Sequence, residues 1–170
     1  IPMQYKENYL TKNDCYQAGY PLPRPRGIIV HSTGVDQKRI RVYADAWDRP
    51  GVRTCVHGFL GLNRDGALCF TQILPYEMRC WGCGSGKKGS FNDSHIQFEI
   101  CEDNLKDEVY FNSVMEAATD LCAYLCDRYN IKVVNVVSHY EAYKLGYASG
   151  HSDIDHWLKK HGKTMSWFRD

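Results

Sequence analysis

Residues 27–34, Gly27-Ile28-Ile29-Val30-His31-Ser32-Thr33-Gly34, read as a short apolar strand that ends on a histidine and then breaks into turn residues. Pro25 marks its start and Ser32-Thr33-Gly34 its end. An unbroken apolar run between such marks suits a central strand buried on both faces. In open α/β sheets chemistry gathers at the C-terminal ends of strands, which is where His31 falls. One histidine at a strand end is as readily a satisfied turn residue as a ligand. Its meaning therefore rests on what the remaining chain places beside it.

A second stretch of the same kind, Lys132 to Val137, is also followed by a histidine, in Ser138-His139. Between the two, Asp36 to Trp47 carries Ile40, Tyr43, Ala44 and Trp47 at three- and four-residue spacing, predicting an amphipathic helix stopped by Pro50-Gly51. Residues 55–62 and 67–72 flank Asn63-Arg64-Asp65-Gly66 and predict a hairpin. His95 to Cys101 alternates, with His95, Gln97 and Glu99 on one face and Ile96, Phe98 and Ile100 on the other. That pattern fits a strand lining a site or a half-solvated antiparallel strand equally well. Phe111 to Tyr129 has the clearest helical stripe, and residues 151–158 predict a short helix capped by Ser152 or Asp153. Residues 79–94, with glycines at 82, 84, 86 and 89 around Trp81, form a loop too long for a mere connector. Upstream, residues 1–26 hold four prolines and predict an extended N-terminal arm packed on a domain formed by 27–170.

A chain of 170 residues suits one compact domain. Its net charge of +1, with scattered basic residues, gives neither a nucleic-acid footprint nor a polybasic membrane patch. No apolar run approaches the ~20 residues of a membrane span, and the stretch beginning at Ile1 has no signal-peptide pattern. The eight cysteines could form a disulfide framework or remain free thiols. Several sit inside apolar runs, as in Ala67-Leu68-Cys69-Phe70, where Cys acts as a small hydrophobe, so free thiols are expected. Cys80-Trp81-Gly82-Cys83 is a CxxC without a second one to complete a structural zinc site, because Cys122 and Cys126 have helical spacing.

Two strand ends and the mouth of a late helix make a natural open metal site, since catalytic zinc takes three protein ligands and leaves one position for water. His31 and His139 supply two ligands. The third comes from His151, Asp153, Asp155 or His156, and spacing alone does not choose among them.

Val30-His31-Ser32-Thr33-Gly34, Val56-His57-Gly58-Phe59, Asp65-Gly66, Trp81 with Cys83-Gly84, Asn92 through Glu99, and Ser138-His139-Tyr140-Glu141 follow one another in a telling order. From about residue 27 onward the chain resembles zinc-dependent N-acetylmuramoyl-L-alanine amidases of the amidase-2 type, relatives of the peptidoglycan recognition proteins. It looks closest to the catalytic domains of clostridial phage endolysins and autolysins. The resemblance implies an α/β fold with a central mixed β-sheet flanked by α-helices. It implies one zinc ion and hydrolysis of the amide between the lactyl group of N-acetylmuramic acid and L-alanine. The implied partner is bacterial peptidoglycan, with no nucleic acid and no membrane. Action at the cell wall follows, after secretion or release on lysis, by a monomer that leaves room for a separate wall-binding domain.

Carried over by position, His31 and His139 match the two zinc histidines, and the third ligand falls at His151 with Asp153 as its rival. Glu99 matches a glutamate facing the metal-bound water, which makes it the expected general base. His57 stands where some relatives have a catalytic tyrosine and is the expected oxyanion stabiliser. Trp81, Asn92, His95 and Tyr147 are expected to bind substrate, with Tyr76 a further aromatic candidate, and Glu141 to hydrogen-bond a zinc histidine. Two departures stand out. The familiar Trp-His-Ala-Gly reads Trp81-Gly82-Cys83-Gly84, and the lysine found two positions before the third ligand is Ser149 in this alignment. Two other classes compete: a non-catalytic binding module of the same fold, which would lack a ligand, and a cysteine-dependent wall peptidase.

Overall fold

The computed structural model describes residues 3–170; Ile1 and Pro2, the start of the expected arm, lie outside the described residues. In chain order the elements are β1 (Gln4–Glu7), α1 (Asp14–Ala18), β2 (Gly27–Ser32), α2 (Ile40–Trp47), β3 (Gly58–Leu62) and β4 (Leu68–Gln72). There follow β5 (His95–Ile100), α3 (Glu108–Tyr129), β6 (Val136–Ser138), α4 (His139–Leu145), α5 (Asp155–Lys160) and α6 (Met165–Arg169). The strands form one sheet in the order β1-β4-β3-β5-β2-β6, in which β3 and β4 pair antiparallel and all other neighbours are parallel. This is the mixed α/β sheet with flanking helices that the resemblance implied.

β2 is apolar throughout because both its faces are covered. Ile28 and Val30 pack with Ile96, Phe98 and the buried stripe of α3, whereas Ile29 points the other way onto Cys83, Val137 and Ala142. β5 lies beside it in parallel, with Gly27 opposite His95, Ile29 opposite Gln97 and His31 opposite Glu99. The alternation of β5 is therefore not that of a half-solvated antiparallel strand. Its polar face is roofed by residues 79–94, and Gln97 is fully buried there.

Several boundaries differ from the sequence reading, each for a local reason. The arm supplies a strand of its own, β1, as the sheet edge beside β4, and α1, whose N-cap Asn13 accepts from Cys15 N. α2 begins at Ile40 rather than Asp36, because Gln37 N donates to Glu102 O and Lys38 O accepts from Leu62 N, which holds 36–39 in a turn. α3 begins at Glu108, where Asp107 accepts from Val109 N and Tyr110 N as a cap. Val133–Asn135 form a 3-10 turn, so only Val136–Ser138 pair as strand. Neither Ser152 nor Asp153 caps α5 with its side chain. All eight cysteines carry free thiols, Cys80 and Cys83 included, and all but Cys126 are buried. Among the described residues no helix is long and apolar enough to cross a membrane.

Candidate metal centre

β2 ends on His31, and β6 runs directly into α4, so that His139 becomes the first residue of that helix. Ser138-His139-Tyr140-Glu141 is a capping box: Ser138 Oγ accepts from Glu141 N at 3.0 Å, and a Glu141 carboxylate oxygen accepts from Ser138 N at 3.1 Å. Glu141 therefore holds the helix start, and its carboxylate also takes both Arg169 guanidinium nitrogens at 2.8 and 3.0 Å. The expected bond from Glu141 to a zinc histidine is not made. The S-x-x-E spacing carried the correct reading.

A chain of hydrogen bonds fixes the His31 tautomer. Asn92 Oδ1 accepts from the backbone N–H groups of Gly82 and Cys83, both at 3.1 Å, and a backbone N–H only donates. Gln97 Nε2 must then donate to that same oxygen, at 2.7 Å, which turns Gln97 Oε1 toward His31 Nε2, 2.7 Å away. Nε2 of His31 thus carries the proton and Nδ1 presents its lone pair. His139 is set in the same way, because its Nε2 donates to the carbonyl of Ser149 at 2.9 Å. Two imidazole lone pairs meet: the Nδ1 atoms stand 3.1 Å apart.

Asp153 closes the triangle. Its carboxylate oxygens lie 3.3 Å from His31 Nδ1 and 3.6 Å from His139 Nδ1, and Ser32 N donates to Oδ2 at 3.2 Å. His31, His139 and Asp153 are the one group of His, Cys, Asp or Glu ligand atoms among the described residues close enough to hold a metal, all within 4.8 Å of one another. Bonds of 2.0–2.1 Å at tetrahedral angles would separate ligand atoms by about 3.3 Å. The observed separations bracket that value, so the donor set fits zinc. The arrangement otherwise demands a shared proton. Burial pulls the His31 pKa down, but the Asp153 carboxylate outweighs it and leaves it above the ordinary value. Burial and the neighbouring His31 push His139 down to about 4. Burial raises the Asp153 pKa, and the hydrogen bond and charge of His31 more than reverse it.

His151, expected as the third ligand, is outside this triangle. It is exposed on the rim, its ring centroid 4.6 Å from that of His139. Asp153, its rival, lies in the triangle because the turn after Gly150 brings the carboxylate down to Ser32 N. Glu99 sits opposite His31 on the neighbouring strand, where burial raises its pKa to about 7, opposed by His31 and aided by Asp153 and Glu102. Glu102 is buried behind it, accepting from Ser32 Oγ and, at 3.0 Å, from His156 Nε2.

His57 does not reach the centre. Its Nε2 donates to Met78 O at 2.7 Å and its Nδ1 accepts from Gln97 N at 3.0 Å, so both ring nitrogens serve the backbone, and burial holds its pKa down at about 4. It is a structural ring with nothing left to offer an oxyanion. Asn92 is likewise spent on the tautomer chain and buried. Tyr76 is core, bonded through its hydroxyl to Tyr5. His95 begins a stack in which Phe91 lies 3.9 Å above it and Tyr147 4.6 Å above Phe91, centroid to centroid. Trp81 packs under the Arg53 guanidinium, 5.0 Å away. Among the described residues no histidine nitrogen hydrogen-bonds a cysteine sulfur, and burial raises the Cys83 thiol, so the cysteine-peptidase reading has no cysteine–histidine pair to work with.

Comparison with known proteins agrees with this fold. No curated protein matches. The Staphylococcus aureus hydrolase AmiA, solved with its ligand, is similar at 23% identity and a TM-score of 0.74, over 99% of this chain and 82% of that one. A mutant endolysin from Bacillus subtilis is similar at 23% identity and a TM-score of 0.75, over 99% of this chain and 97% of that one. The catalytic domain of XlyA is similar at 22% identity and a TM-score of 0.73, over 98% and 97%. Residues 21–161 match the amidase-2 family model, described as N-acetylmuramoyl-L-alanine amidase, and the chain belongs to that family of peptidoglycan hydrolases.

Proposed function

We propose that this amidase holds one zinc ion on His31 Nδ1, His139 Nδ1 and the Asp153 carboxylate, and cleaves the lactyl–L-alanine amide of peptidoglycan with an activated water. The observation that carries the reading is the pair of lone pairs 3.1 Å apart, each fixed by a hydrogen bond on the far side of its ring and both facing one carboxylate. A bound zinc ion supplies a water with its pKa lowered to about 7 and a polarised carbonyl.

The remaining chemistry belongs to the chain. Glu99, facing the site from β5 and half-buried, takes the proton from the attacking water as its oxygen joins the carbonyl carbon. It returns that proton to the amine of L-alanine as the C–N bond breaks. The charge developing on the carbonyl oxygen needs a donor, and with Asp153 as third ligand the position two residues earlier, held by lysine in several relatives, is His151. Its exposed ring beside His139 can reach substrate, which buried His57 cannot. We assign the oxyanion role to His151.

Digestion of purified peptidoglycan by metal-replete and chelated protein, read by mass spectrometry of the soluble products, tests the proposal. Stem peptides with free N-terminal alanine, appearing only with metal, are expected. Equal release by the chelated protein would overturn the metal assignment, and no release in either sample would overturn the reaction.

A further inference from the structure

The metal centre lies at the C-terminal ends of β2, β5 and β6. At their N-terminal ends, four residues or about 13 Å down the strands, are two adjoining clefts. The first, of about 430 Å³, is lined by Arg26 and Lys88 and by the Tyr147–Phe91–His95 stack. The second, of about 550 Å³, is lined by Arg24, Arg26 and Lys132. Arg26 and Asn135 line both, which makes one continuous surface.

This surface carries a local excess of cations although the chain as a whole is nearly balanced. The sequence holds 21 basic and 20 acidic residues. Yet Arg24, Arg26, Lys88 and Lys132 are all exposed, and among the described residues none is within ion-pair distance of a carboxylate. The one carboxylate lining either cleft, Asp93, is taken by Arg79 Nε at 2.7 Å. Four unpaired cations around concave surfaces focus a positive potential. The aromatic stack, with Val134 and Leu145 beside it, adds apolar surface of the kind that sugar C–H groups pack on.

We propose that this end of the domain binds an anionic, phosphodiester-linked glycopolymer of the bacterial wall, retaining the enzyme on its substrate through a site separate from the metal centre. The inference rests on the reading that the chain acts on the wall. A linear polymer with regularly spaced phosphates suits two clefts joined at Arg26. A bilayer fits less well because the surface is concave.

The test uses the full chain and insoluble walls, either intact or stripped of phosphate polymer by mild acid, in a sedimentation assay. Soluble poly(glycerol phosphate), duplex DNA and anionic phospholipid vesicles serve as separate probes. Intact walls and poly(glycerol phosphate) should bind, more weakly as salt rises. The triple variant R24Q/R26Q/K132Q should lose about tenfold or more in affinity for both, while its turnover of a small soluble muramyl-peptide stays within about twofold of wild type. If that turnover also falls, Lys88→Gln, which touches only the first cleft, decides by the same comparison. Equal binding to stripped and intact walls, unchanged binding by the variants, or DNA or vesicles bound as tightly as the polymer would each overturn the inference. Wild-type protein that binds polymer but cleaves no soluble muramyl-peptide would instead overturn the proposed reaction and leave this site standing.

Discussion

Replacing Asp153 and His151 separately by alanine divides metal binding from catalysis. In Asp153→Ala the site loses the carboxylate that stands 3.3 and 3.6 Å from the two histidine nitrogens and keeps only His31 and His139. Four-ligand structural zinc sites bind with roughly 10–16 kcal/mol, about 3 kcal/mol per ligand. Zinc entering the wild-type site must also displace the proton that His31 and Asp153 share, which offsets part of what the third ligand contributes. A loss near 3 kcal/mol, or roughly 10²-fold in Kd, is therefore expected. In His151→Ala the triangle is untouched and zinc affinity should change by less than about threefold, whereas kcat should fall by roughly 10²-fold or more, the scale of a lost oxyanion donor. Competition against a chromophoric chelator at neutral pH gives the affinities, and turnover of a soluble muramyl-peptide at saturating zinc gives the rates. If His151→Ala sheds zinc and Asp153→Ala retains it, the ligand assignment is wrong and the rim histidine is the third ligand after all.

Glu99→Gln should keep its zinc and lose at least 10²-fold in turnover, the scale of a general base; an unchanged rate would remove Glu99 from the mechanism. Gln97→Leu removes the acceptor that holds the His31 proton on Nε2, and zinc affinity measured by the same competition should fall 10–100-fold. His57 gives a pH dependence. Its native pKa of about 4 lies below the ordinary 6.5, so the unfolded chain takes up a proton first as pH falls. Nothing is lost above pH 6.5, and between there and pH 4 the native state loses about 3 kcal/mol on this group's account. Urea unfolding of wild type and His57→Gln should show the advantage of the wild type shrinking by that amount from pH 7 to pH 4. An advantage independent of pH would mean that His57 titrates normally.

The central strands and the two histidines at their ends could be read directly because they rest on short-range patterns. An apolar run buried on both faces announces itself, and the strand end places its last side chain. The third ligand could not be read in this way. Asp153 completes the candidate site only because Ser32 N and the turn after Gly150 hold its carboxylate between two rings that the chain brings together from more than a hundred residues apart. Sequence spacing within 151–156 carries no trace of that. His57 misled for the complementary reason: its position, where some relatives have a catalytic tyrosine, made it look available, and only the packed structure shows Met78 O and Gln97 N occupying both nitrogens.

The same contrast explains the departure at Trp81-Gly82-Cys83-Gly84. The usual histidine of that segment, a candidate for lining the substrate groove, is absent there. In the structure the segment works through its backbone: the N–H groups of Gly82 and Cys83 orient Asn92, Asn92 orients Gln97, and Gln97 fixes the proton on His31. A side chain at 82 would drive a Cβ to within 2.6 Å of Gln97 Oε1, the atom that receives the His31 proton. Glycine at 82 thus serves the candidate metal centre although it offers that centre no ligand atom. Gly82→Ala should reproduce the zinc loss of Gln97→Leu while leaving Glu99 and His151 unchanged. Full zinc affinity in that variant would show that the tautomer is set by something other than this chain of bonds.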